Sequence, residues 1–173
     1  SYLFFEDEIK EAKRIRAEED KMSGQQVFTK GERWTGKLGQ WAVERHWPSL
    51  ILVGGDFDYS TYDFTNRFPR KTGEKLIYEV KTKNGNSTYR DTFQFNVNDK
   101  QFRKNKNDIY IGCYWHLMGE GTLVIAGWLW KKDVERLGRF MRKDELFLDR
   151  FPVEADRWDV DFSKMNDIES LPI

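Results

Sequence analysis

The hydrophobic pattern of this chain predicts an α/β fold class (α+β): a mixed β-sheet flanked by helices. Two observations carry that expectation. Segments with apolar residues three and four apart alternate with runs of period two, in the order α–α–β–β–β–α–β–β–α. The 173 residues are 39% hydrophobic and 16% aromatic, with seven Trp and thirteen Phe, which is ample material for a single domain over 1–173 with one core.

The elements follow in order. Residues 5–20 predict a helix with Phe5, Ile9, Ala12 and Ile15 on one face and Glu6/Lys10 as an i,i+4 pair; they form a charged N-terminal helix within 1–24. A second helix is expected over 34–46, stopped by Pro48, with Trp34, Trp41 and Trp47 as core. "LILVGG" reads as a short buried strand. "YSTYDFTNRF" and "KLIYEVKTK" read as strands joined by the turn "PRKTGE". "NVNDKQFRKNK" predicts a short helix. "DIYIGCYWHL" and "TLVIAGWLW" predict a hairpin around "MGEG", with Cys113 in the core and at least one of Trp128 and Trp130 buried. "KKDVERLGRFM" reads as helical and opens a helical or mixed C-terminal extension over 131–173.

Net charge is zero but uneven. Residues 67–106 hold eleven basic and four acidic side chains, whereas 133–173 hold seven basic and eleven acidic ones. A basic face therefore surrounds "LIYEVKTK". No window approaches the roughly 18 unbroken apolar residues of a membrane helix. The charged opening segment argues against a signal peptide, and a lone Cys113 against a disulfide or a CxxC zinc site; both fit the cytoplasm, of a phage's host if the chain is phage-encoded. With only His46 and His116, chemistry built on several histidines is excluded.

Within "LIYEVKTK", Leu76, Tyr78 and Val80 fall on one strand face, and Glu79, Lys81 and Lys83 on the other. A symmetric hairpin turn centred near Lys71 pairs residues whose numbers add to 142. That register sets Asp63 opposite Glu79, Thr61 opposite Lys81 and Thr65 opposite Ile77. Facing Cβ atoms in such a ladder lie about 4.5–5.5 Å apart, where like charges repel. A divalent cation between Asp63 and Glu79 would convert that repulsion into ligation.

The set Asp63, Glu79-Val80-Lys81 resembles the PD-(D/E)XK nuclease superfamily, of restriction-endonuclease-like fold, in which an Asp on one strand precedes an acid-x-Lys triplet on the next. The order of elements over 31–130 resembles that family as well. The chain departs from the pattern in having Tyr62 rather than Pro before Asp63, and Gln40 in "GKLGQWAVERHW" where many members carry Glu; Glu44, one turn on, is the candidate for that role. Asp56 and Asp58 compete with Asp63 as ligands. The resemblance implies Mg²⁺- or Mn²⁺-dependent phosphodiester hydrolysis, most readily of DNA with RNA as the other substrate. Asp63, Glu79 and the Val80 carbonyl would hold the metal, Lys81 would assist the attacking water, and Glu44 would bind a second metal or position water. Gln101, Lys83, Arg103 and Lys104 are candidate nucleic-acid contacts. A homodimer or a larger nuclease assembly is an expected context. The alternatives are a catalytically inactive nuclease-fold protein that binds nucleic acid or a protein partner, and an interaction domain using the acidic tail and first helix.

Overall fold

The computed structural model describes residues 1–23, 34–52, 64–66, 73–116 and 121–173, with backbone alone over 19–23. The chain is a mixed α/β fold whose sheet is flanked by helices. Strand β1 (Tyr2–Leu3) leads into helix α1 (Glu6–Ser23), and α2 spans Thr35–His46. The strands β2 (Leu50–Leu52), β3 (Phe64–Asn66), β4 (Ile77–Gly85), β6 (Ile109–His116) and β7 (Thr122–Trp130) join β1 in one mixed sheet. Its order among the described residues is β1-β7-β6-β4-β3-β2. Only the β4–β6 pairing is parallel there. A parallel pair needs a crossover, and this one carries β5 (Gln94–Asn98) and α3 (Asp99–Lys104).

Helix α2 forms because Leu38, Ala42 and Val43 repeat at helical spacing, and all three are fully buried. Gly39 lets the helix touch β4: an added Cβ would stand 2.2 Å from Thr82 Oγ1 and 3.2 Å from Val80 Cγ1. Trp47 is buried while Trp34 and Trp41 pack half-buried on the same core, as expected. Buried Cys113 and Trp128 and half-buried Trp130 also meet expectation. On α1, Ala12 and Ile15 are buried and Ile9 packs on the core. Phe5, by contrast, is 64% exposed, because Phe4 takes the inward position. The Glu6–Lys10 pair forms at 3.1 Å on an open surface, where such pairs contribute little.

The sequence reading missed a second layer. A three-stranded sheet, β5-β11-β8, uses β8 (Arg139–Met141) and β11 (Arg157–Asp161). It lies over a second cluster of buried side chains that includes Phe95, Val97, Tyr110, Leu129, Val160 and Phe162. The segment expected to be helical over 131–141 divides: a 3-10 turn at Lys131–Asp133 and α4 (Val134–Leu137) end at Gly138, and 139–141 is strand. Gly138 turns extended (φ −90°, ψ 169°) as its N–H closes on Val134 O at 2.7 Å, and an added Cβ would stand 2.7 Å from that oxygen, so the stop suits glycine. Two short strands, β9 (Leu146–Phe147) and β10 (Phe151–Pro152), form a separate antiparallel pair. The 131–173 region is thus woven into the fold through β11 and β5. No described helix is long and apolar enough to cross a membrane.

Candidate functional site

The hairpin register agrees with the sequence: Thr65 faces Ile77 and Phe64 faces Tyr78. Asp63, like Asp56 and Asp58, lies outside the described residues. Period two sends Tyr78 and Val80 into the core beneath α2 and leaves Glu79, Lys81 and Lys83 on the opposite face. That opposite face is not simply wet. Glu79 is 6% exposed, a burial that a carboxylate tolerates only when its oxygens are partnered.

Both of its oxygens are. Asn105 Nδ2 donates to Oε2 at 2.8 Å, and Lys81 Nζ forms an ion pair with Oε1. Lys81 Nζ also donates to Gln101 Oε1 at 3.3 Å. Local sequence explains how these groups meet. Asn98 caps α3 by accepting from Gln101 N at 3.2 Å, which starts the helix directly after β5. The helix stops at Asn105, whose N–H bonds to Gln101 O at 2.8 Å and whose side chain turns to Glu79. Six helical residues therefore deliver Gln101 to Lys81 and Asn105 to Glu79.

Two further residues complete the cluster. Lys131 Nζ donates to the Asn105 carbonyl. Burial holds the Lys131 ammonium below the usual lysine range, against the attraction of Glu79 and Asp108. Tyr110 pairs with Glu79 across the parallel ladder, and its hydroxyl is pushed up, first by burial and then by the Glu79 charge, so it stays protonated. A cleft of about 780 Å³ opens beside them, lined among others by Phe102, Asn107, Asp108, Trp130, Lys131 and Lys132.

The remaining candidates lie as follows. Val80, between Glu79 and Lys81, packs its side chain on the core under α2. Gln40 is half-buried on α2, next to the Gly39 contact with β4. Glu44 is exposed and lines a groove between α1 and α2 with Asp7, Glu8 and Glu11, so its described surroundings are those of α1 and not of Glu79. Arg103 Nε is tied to Asp99 Oδ2 at 2.9 Å, and Lys104 is exposed. Lys83 continues the Glu79–Lys81 row toward Arg157 and Asp159. Tyr110 is a buried core-strand residue.

Sequence reasoning missed Asn105 and Lys131. The available signal for Asn105 was its place at the end of a capped six-residue helix; Lys131 gave none, because its partner is a backbone carbonyl.

Glu79 is a suitable oxygen ligand for a hard divalent cation, since Asn105 fixes one oxygen and the other meets a cation already. Among the described residues no three His, Cys, Asp or Glu side chains converge. No protein-family model, curated protein or solved structure matches the chain.

Proposed function

We propose that the chain is a metal-dependent nuclease of restriction-endonuclease-like fold that hydrolyses phosphodiester bonds, most readily in DNA. The observation that carries this reading is Lys81 Nζ: it bridges a buried carboxylate on its own strand and Gln101 on the following helix. A buried carboxylate and a positioned ammonium on one strand form a working pair for water activation and phosphate charge. Continuing the Thr65–Ile77 register by two residues would set Asp63 opposite Glu79. Mg²⁺ or Mn²⁺, held by Asp63, Glu79 and the Val80 carbonyl, would supply a lowered water pKa and neutralise charge at the phosphate. Lys81 would orient the attacking water and donate to a phosphate oxygen, and Gln101 would hold the ammonium in place. Tyr110, protonated and adjacent to Glu79, would keep that carboxylate from turning inward.

A second reading rests on the same contacts. Both Glu79 oxygens are already engaged by Lys81 and Asn105, an arrangement that a nuclease-fold protein binding nucleic acid without cutting it would also show.

Cleavage of supercoiled, linear, branched and single-stranded DNA, and of RNA, in Mg²⁺, Mn²⁺ or EDTA separates the two. Metal-dependent cutting that Asp63→Ala loses supports the nuclease. Metal-independent binding without cutting in any condition supports the binder.

A further inference from the structure

The row of charge on β4 does not end at Lys81. Side chains on one strand face repeat every two residues, about 6.6–6.8 Å, so Lys83 is the next group along. It meets Arg157 and Asp159 of β11, and Asp159 in turn faces Arg139 across the β11–β8 ladder. Three cations thus share one carboxylate.

Asp159 is 3% exposed and is ion-paired to Arg157, with Nε 2.8 Å from Oδ1 and a hydrogen bond from Nη2 to Oδ2 at 3.2 Å. The guanidinium carries five N–H donors, so this grip leaves donors over. It also fixes the plane of the group, which lies 5.4 Å from the Phe147 ring centre. The Arg157 side chain keeps 21% of its surface open. Among the described residues the Lys83 ammonium has no close ion pair; its nearest opposite charge is Asp159, which Arg157 already holds. Burial and then the Arg157 charge hold its ammonium below the usual lysine range. A half-buried lysine that shares a single carboxylate with two arginines is costly in isolation and favourable around an added anion. Planar, pre-oriented arginine is also the side chain best matched to phosphate oxygens.

We propose that Lys83, Arg157 and Arg139 form an anion subsite for a backbone phosphate of the nucleic acid, next along β4 from the Glu79–Lys81 centre. This rests on the nucleic-acid part of the proposed function and not on cleavage. Asp159 acts through Arg157 as a positioning residue.

The test is the salt dependence of binding to short fluorescent DNA, single-stranded and duplex, in EDTA, with melting curves for every variant. Each phosphate contact contributes about 0.7–0.9 to the slope of log affinity against log salt. Lys83→Gln and Arg139→Gln should each lower that slope by about 0.7–0.9 and weaken binding at low salt several-fold. Arg157→Gln should do the same; should it unfold the protein by stranding Asp159, the other two variants decide. Slopes unchanged in folded Lys83→Gln and Arg139→Gln overturn the subsite, as does wild-type protein that binds neither DNA. Wild type that binds with the expected slope losses but never cleaves removes the nuclease reading and keeps the subsite. Cleavage with unchanged slopes does the reverse.

Discussion

The two faces of β4 are covered by different layers and made of opposite chemistry. On one, Tyr78 and Val80 pack beneath α2, which comes close enough that Gly39 has no room for a Cβ beside Thr82. On the other, Glu79, Lys81 and Lys83 lie in a row, met by α3 at one end and by β11 charges at the other. The first face is held by shape, through close-packed contacts in which the polar side chain against Gly39 is the half-buried Thr82. The second is held by charge pairing, and among its described residues three cations share the one carboxylate of Asp159. What the comparison teaches is that burial alone does not mark the inert side of a strand: Glu79 is as buried as the core Trp47, at 6% exposure each. The difference lies in what the buried atoms could still bind.

Variants that act on one face and spare the other sharpen this contrast. The largest effect is expected for Glu79→Gln, which keeps the shape and removes the charge that faces Lys81. Cleavage should fall about 10²–10⁴-fold, measured as single-turnover rates with Mg²⁺, while the circular-dichroism spectrum stays that of the wild type. Next comes Gly39→Val on the opposite face. Its Cβ would begin 2.2 Å from Thr82 Oγ1, and overpacking of this kind costs about 1–3 kcal/mol, read as a lower midpoint in urea denaturation with nucleic-acid affinity per folded molecule preserved. A smaller loss is expected for Tyr78→Phe. The Tyr78 hydroxyl accepts from Asn66 Nδ2 at 3.0 Å and donates to Pro172 O at 2.6 Å, and removing it should cost about 1 kcal/mol. The smallest signal is a pH effect from Asp159. Burial raises its carboxyl above the ordinary aspartate value of 3.8, against the pull of Arg157, Lys83 and Arg139. The folded state therefore holds this proton more tightly than the unfolded one, and stability from this residue rises as pH falls through the raised pKa toward 3.8. Asp159→Asn should flatten that slope in a series of melts.

The face made of shape was the more legible in the sequence. Leu38, Ala42 and Val43 announce α2, and the numbers of Thr65 and Ile77 sum to the constant that the turn demands. The charged face was legible only along β4 itself. "QFNVN" alternates perfectly, and Phe95 and Val97 are fully buried. Its last residues nevertheless read into the helix that follows, because Asn98 is at once the end of β5 and the cap of α3. Arg139 and Phe140 continued a helical pattern that Gly138 in fact ends by turning extended, at a place too tight for any other side chain. Pairing of β11 with β5 joins residues about sixty positions apart, and no local pattern carries that information. For the same reason Asn105 and Lys131 joined the cluster unannounced, and Glu44, placed by helical spacing alone, sits with α1.

The most direct test of the claim that the charged face does the chemistry is one pair of rates: Mg²⁺-dependent cleavage by wild type and by Lys81→Ala on the substrate the wild type cuts best, with melting temperatures measured beside them. Loss of about 10²-fold or more in rate per folded molecule, with binding of the same substrate in EDTA largely kept and a lower melting temperature because Glu79 loses one of its two partners, is the predicted result. Equal cleavage by a folded Lys81→Ala protein would contradict it, and would leave the row on β4 as a structural ion pair.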